Sequence, residues 1–340
     1  MKFPLVRLAA VAAVGTVALL AQAGMTSTAA AVPNSAALPT GPSGAHTSVT
    51  HAVATTTKSR TSKAPTASHS AVTTAKVAHG TTIPAAAKCD GVTDNTAAIQ
   101  AAVNAAGKVQ GGAVVTIPAG VCAVFGRIPV TGQNGVTIQG AGQTRTFIVQ
   151  HASSNIFQIT SPGNTVEDMN LDTYTYNPGV VPIPKSPVPA VLFSNANNTT
   201  VLNVTAETGS GFGLRLTGPK PCYTFGISGT VVTNLIVVNH GTGGFAALDI
   251  DCQNGARLTN INIHGGILAL FNDTNTVLLN ETYFGVNRCQ PAWFVTGPAS
   301  NILIQNVVTY AGAGVIKSSR HGAATGITVV NQTFGTALHC

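Results

Sequence analysis

From Val114 onward, apolar and polar residues alternate with a period of two, in short runs punctuated by Asn and Gly. The runs VTIQG, VEDMNL, TVLNVTA, VVTNLIVVN, ARLTNINI, VLLNETYF, ILIQNVVTY and ITVVNQTF follow one another along the chain. Each is introduced by a turn word, among them Asn134-Gly135, Asn164-Thr165, Asn254-Gly255, Asn275-Thr276 and Gly326-Ile327, spaced roughly 20 to 35 residues apart. Period-two alternation predicts strands. Asn and Gly tolerate the left-handed backbone that sharp turns demand. A strand-and-turn unit recurring at this interval predicts a stack of coils, with uneven spacing absorbed by loops. The stretch from Gly243 to Leu270 shows one unit whole: strands at Ala247–Ile250 and Ile267–Leu270, with the alternating run Leu258–Ile263 between them. The longest insertion, Tyr174–Pro189, is rich in Pro and Val and is expected to form a lobe beside the stack.

One segment breaks the pattern. In DGVTDNTAAIQAAVNAAG, Ala97, Ile99, Val103 and Ala106 fall at helical spacing, and Asp94 or Asn95 can cap the first turn. Strands are expected after it at Val114–Ile117, Val121–Val124, Ile128–Val130 and Val136–Gln139.

A second, shorter run in each coil forms a column: GLRLTG, ALDIDC, ILALFND, AWFVTG and GVIKSS. Alternation should bury Leu214, Leu216, Leu248 and Ile250 and turn Arg215, Thr217, Asp249 and Asp251 outward. Coils stacked about 4.8 Å apart would then gather Arg215, Asp249, Asp251, Asp273 and Lys317 on one strip. Asp249 and Asp251 sit two apart on one strand face, a spacing that suits a carboxylate pair flanking a bond to be hydrolysed. Asp249, Asp251 and Asp273 are therefore the candidate catalytic residues. Candidate binding residues are Arg215, His264 at a strand-to-turn junction, the sole tryptophan Trp293, and the late cations Lys317 and Arg320. The Asn-x-Thr words at Asn197, Asn198, Asn203, Asn272, Asn280 and Asn331 read as turn and ladder residues.

The words DGVTDNTAAIQAAVNAAG, GGAVVTIPAG and NGVTIQGAG, in this order, resemble the N-terminal signature of the pectate lyase/polygalacturonase superfamily. That resemblance implies an all-β fold, a right-handed parallel β-helix with a short N-terminal helix capping its open end, over about residues 85–335. It also implies a polysaccharide partner. The hydrolase words NTDGxDI, GDDCIAI and RIK correspond here to 244–250, 264–270 and 315–317. Asp249 matches the second Asp of the first word, and Lys317 matches the Lys of the last. Ala246, Gly265, Gly266 and Val315 stand where the family carries Asp, Asp, Asp and Arg. The family's own hydrolytic site is therefore not carried over.

Composition divides the chain. Lys2 and Arg7 precede an apolar run, Leu8–Ala23, too short for a comfortable membrane span, so residues 1–31 read as a secretory signal. Residues 32–84 are Ala, Thr, Ser, Pro and His and read as a disordered linker. The folded domain is expected over 85–340. The net charge of +7 is misleading, because six of the 17 basic residues precede Ala85, leaving eleven against all 10 acidic ones. A nearly neutral domain gives no argument for nucleic acid. The six cysteines all lie in the domain, which with a signal peptide points to disulfides. Six cysteines allow fifteen pairings. Spacing does not choose among them, and the working assignment is Cys89–Cys122, Cys222–Cys252 and Cys289–Cys340. No CxxC or HxxxH spacing suggests zinc.

The expectation is thus a secreted, extracellular, cell-wall-associated monomer without a membrane segment after signal cleavage. Three functions stay open. The first is a glycoside hydrolase-like enzyme on pectin-type or other cell-wall glycans, needing no cofactor. The second is a non-catalytic glycan-binding or structural β-helix. The third is a uronate lyase with Lys317 or Arg320 as base, for which Asp249, Asp251 and Asp273 could supply oxygen ligands to Ca²⁺.

Overall fold

The computed structural model describes residues 80–173, 190–209, 211–218, 226–240, 246–284, 291–310, 315–317 and 322–334. The segment expected to be a signal, most of the expected linker, the insertion 174–189, Arg320, Cys222, Cys289 and Cys340 lie outside them.

Two parallel sheets run the length of the domain. The larger has 13 strands among the described residues, and its main path follows the chain: Thr82–Pro84, Val114–Thr116, Thr137–Gln139, Thr165–Asp172, Thr200–Thr208, Val231–Asn239, Arg257–His264, Val277–Phe284, Ser300–Thr309 and Thr325–Phe334. The smaller stacks Ile128–Val130, Phe157–Ile159, Leu192–Ser194, Leu214–Thr217, Ala246–Asp251, Ile267–Phe271, Trp293–Thr296 and Val315–Lys317. Every pairing is parallel, and each chain turn adds one strand to each sheet, so the architecture is a parallel β-helix. Thr82–Pro84 already pairs with Val114–Thr116, inside the stretch expected to be linker.

The inward positions make one continuous core. Leu214, Leu216, Leu248, Ile250, Leu268 and Leu270 are buried from the short-strand sheet, facing Val232, Leu235, Leu258, Ile261 and Ile304 from the long one. The helix Thr96–Ala106 closes the N-terminal end with Ile99, Ala102, Val103 and Ala106 buried. Ala97 is exposed, so Ala102 takes its expected place on the buried face. Asp94 serves the helix start: its Oδ1 accepts from the Thr96 N–H at 2.9 Å and from the Thr96 hydroxyl at 2.6 Å. Asn95, at the cap position, makes no capping bond and instead accepts from the Lys88 N–H at 2.8 Å.

The long strands bend at one residue per coil, and that residue is Asn. Asn203, Asn234, Asn260, Asn280, Asn306 and Asn331 all have φ between 51° and 58°. Each amide donates to the residue one coil below, from Asn331 to Asn306 at 3.0 Å down to Asn203 and Asp168 at 2.9 Å. A second, shorter ladder joins Asn301, Asn275 and Asn254. Of the Asn-x-Thr words, Asn203, Asn280 and Asn331 are rungs of the ladder, and Asn198 and Asn272 have the left-handed φ of turn residues, 56° and 57°.

Cys89 and Cys122 form a disulfide across 33 residues, tying the entry of the helix to the strand beneath it. Cys252 is also disulfide-bonded, to a cysteine outside the described residues. Replacing Cys89 and Cys122 together by Ala should cost about 3–4 kcal/mol through the freed unfolded chain. A urea midpoint unchanged by the double substitution would contradict this.

Candidate functional site

The outer face of the short-strand sheet carries two columns set by register. One runs Pro129, Gln158, Phe193, Arg215, Asp249, Ala269, Phe294. The other runs Thr217, Asp251, Phe271, Thr296, Lys317. Arg215, Asp249 and Asp251 therefore share one face, as alternation predicted, and Lys317 stands in register with the second column. Lys317 stands three coils beyond Asp251, about 14 Å along the stack.

Asp249 and Asp251 occupy the outward register positions expected of them, yet are only 3% and 5% exposed. Arg215 accounts for part of that cover. Its Nε lies 2.9 Å from Asp249 Oδ2, and its guanidinium sits 5.1 Å from the centroid of Phe212. Asp251 Oδ1 accepts from Asn272 Nδ2 at 3.1 Å. The two carboxyls thus have different partners, one a cation and one a neutral amide.

Asp273 is not on the strip. It follows the strand Ile267–Phe271 in a turn, is fully buried, and its Oδ1 accepts from the Gln253 N–H at 2.8 Å. Burial pushes its carboxyl well above the usual range; the nearby charges of Asp251 and Asp249 push the same way, against the Gln253 bond. Its role is to hold the turn, not to face a substrate.

Trp293 is not a platform either. It opens its strand in register with Leu268, points inward and is 3% exposed. The run Ala292-Trp293-Phe294 is apolar throughout, so alternation could not say which ring faces out. It is Phe294, which meets Phe271 edge-on at 6.0 Å. Phe193, Phe271 and Phe294 are the outer-face aromatics that sequence reasoning missed. Pairing each short run with its neighbour, residue by residue, was the signal that would have found them.

His264 belongs to the other sheet. Its ring stacks on Phe284 at 4.5 Å, and Phe284 stacks on Tyr310 at 4.7 Å. Burial lowers its pKa. Rings piled face to face along the stack offer their edges outward, so this ladder reads as structural. Arg320 lies outside the described residues, as does the Lys317 side chain. Among the described residues, no three His, Cys, Asp or Glu side chains group to hold a metal ion, so the Ca²⁺ ligand set is not assembled there.

The positions that depart from the hydrolase words are also reshaped. Gly265 and Gly266 have φ of 76° and 90°, where an Asp pair would be strained. Ala246 sits at a register shift against the next strand.

Fold and face together define a pectate lyase-like parallel β-helix. The family profile described as "Rhamnogalacturonase A/epimerase, pectate lyase-like" matches residues 85–328, and the chain belongs to that family. No curated protein matches it. Among solved structures it is similar to PfbA, a surface adhesin of Streptococcus pneumoniae, at 14% identity and TM-score 0.51, over 76% of this chain and 82% of that one. It is also similar to Geobacillus virus E2 ORF18, at 14% identity and TM-score 0.44, over 74% of this chain and 60% of that one. The A-module of the Azotobacter vinelandii mannuronan C-5 epimerase AlgE6 matches at 14% identity and TM-score 0.37, over 75% of this chain and 94% of that one. These likenesses are of fold. Among the described residues, no helix is long and apolar enough to cross a membrane.

Proposed function

We propose that this chain is a secreted enzyme that hydrolyses a cell-wall polysaccharide on the outer face of the short-strand sheet. The observation that carries the reading is the pair Asp249 and Asp251 on adjacent outward positions of one strand, with Phe193, Phe271 and Phe294 above and below in the same columns. Carboxylates two apart on a strand suit a glycosidic bond, one protonating the leaving oxygen and the other activating water. Arg215 pairs with Asp249, while Asp251 accepts from the neutral amide of Asn272, and Asp251 takes the role of acid in this reading. Aromatic rings along the same strip suit the apolar faces of sugars. Burying two carboxylates beside one guanidinium is costly, and such arrangements cluster at functional sites.

A panel of pectate, rhamnogalacturonan, β-glucan and alginate tests the reading. New reducing ends are expected on one polymer, and Asp251→Asn should reduce their release at least about 100-fold. Full activity in both Asp249→Asn and Asp251→Asn would remove the assignment. An unsaturated, ultraviolet-absorbing product would indicate a lyase instead. The tight Arg215–Asp249 pair favours a second reading, a non-catalytic glycan-binding surface; glycan binding without any cleavage would support it.

A further inference from the structure

A groove of ≈ 630 Å³ lies between the helix Thr96–Ala106 and the first coil, lined by Gln100, Asn104, Arg127, Pro129 and Gln133 among others, and by Asp94, whose carboxylate is engaged by the Thr96 N–H and hydroxyl. It lies apart from Asp249 and Asp251 and meets the candidate site only through Pro129, the first residue of the outer column. Its lining mixes apolar surface with three side-chain amides, and the amides are only partly used. Gln100 Nε2 donates to Asn104 Oδ1 at 2.9 Å and to the Pro129 carbonyl at 3.0 Å, and Gln133 Nε2 donates to Asn104 Oδ1 at 3.2 Å. The opposite oxygens, Gln100 Oε1 and Gln133 Oε1, are buried with no hydrogen-bond partner among the described residues. Buried acceptors without donors are uncommon and call for a partner. Arg127 is exposed and forms no ion pair among the described residues.

An aromatic ring stands at the rim. Phe125 is 50% exposed, backed by the His151 ring at 4.3 Å, and its N–H donates to the hydroxyl of the groove residue Thr96 at 2.9 Å. A ring fixed from behind and open in front is a surface for stacking a sugar. The groove is also in line with the candidate site. Pro129 heads the outer column that leads through Gln158, Phe193 and Arg215 to Asp249, about 19 Å away along the stack.

We infer that this groove is a distal subsite for a uronate-containing glycan: Arg127 pairs with a uronate carboxylate, Phe125 stacks on a ring face, and the Gln100 and Gln133 amides rotate on binding so that their unpartnered oxygens accept from sugar hydroxyls. The glycan class rests on the polysaccharide reading above, but the subsite does not require Asp249 and Asp251 to be catalytic.

The test is calorimetric titration of the full chain with oligogalacturonate, with cello-oligosaccharide as the neutral comparison. Wild-type protein should bind oligogalacturonate in preference, and Phe125→Ala and Arg127→Gln should each weaken binding roughly tenfold. Both positions are exposed, so the variants should melt with the wild type; the Arg127-dependent part should also weaken with added salt. Unchanged affinity in both variants, or no binding by the wild type, overturns the subsite. Binding lost in Asp251→Asn but kept in both groove variants also overturns it, while leaving the hydrolase reading intact. Weakened binding in the groove variants, with no polymer of the panel cleaved, upholds the subsite and sinks the hydrolase.

Discussion

Replacing Gly112 by Ala should destabilise the domain by about 3–5 kcal/mol, enough to leave much of it unfolded at ambient temperature. Gly112 has φ of +86°, and a Cβ there would lie 2.0 Å from the Gly135 carbonyl oxygen, 2.3 Å from its carbon and 2.9 Å from the Val136 nitrogen. All three are backbone atoms of the next coil, so no side chain can rotate out of the way. Relief would require the first coils to separate, breaking parallel hydrogen bonds between Val114–Thr116 and Thr137–Gln139. Gly111 provides the control. It has φ of +80° but nothing within 4 Å of its Cβ position, so Gly111→Ala should cost only about 1 kcal/mol of backbone strain. Urea midpoints at constant slope compare the two. Equal losses would mean that the close approach between coils carries no weight.

Glu281 should make the domain less stable as pH rises above the ordinary carboxylate range. It is 0% exposed, in register with the core residue Val307, and accepts a long bond from the Tyr283 hydroxyl at 3.5 Å. Burial pushes its carboxyl well above the ordinary 4.5. The folded state therefore keeps the proton that the unfolded chain releases. Stability from this group is complete below the unfolded value, is lost as pH rises toward the folded value, and is flat beyond it. Asp273 acts in the same direction. Asp90, lowered from 3.8 to about 2 by the Thr93 bonds, and Asp94, lowered by Thr96, act oppositely: their contribution is present above the unfolded value and lost as pH falls. Melting temperature should thus peak between about pH 4 and 5. Glu281→Met should raise stability at pH 7 by about 1–4 kcal/mol and flatten the upper limb. A variant that melts lower than the wild type at pH 7 would contradict the buried neutral acid.

The fold was legible because its determinants are local and repeated. Gly111-Gly112, which the sequence shows only as a motif, is where two coils touch backbone to backbone. The alternating runs predicted strands within a residue or two, and the Asn words marked the left-handed bends. The site was less legible, for three separate reasons. Asp249 and Asp251 face outward as expected, but their cover comes from groups distant in the chain, which alternation does not record. Alternation does not assign Trp293 a face, because its neighbours are apolar on both sides, and the ring is buried. Asp273 follows a strand closely enough to be counted in its column, yet the chain has already turned there.

The Asn ladder separates the length of a coil from its shape. Its amide-to-amide steps span 31, 26, 20, 26 and 25 residues from Asn203 to Asn331, yet the bonds stay between 2.8 and 3.0 Å. The bend is therefore a fixed joint, and the surplus residues are carried by the excursions between joints. Such a scaffold can gain or lose loop sequence, or a whole coil, without shifting the alignment of its neighbours. Recognition surfaces can be rewritten in those excursions while the spine that holds them keeps its geometry.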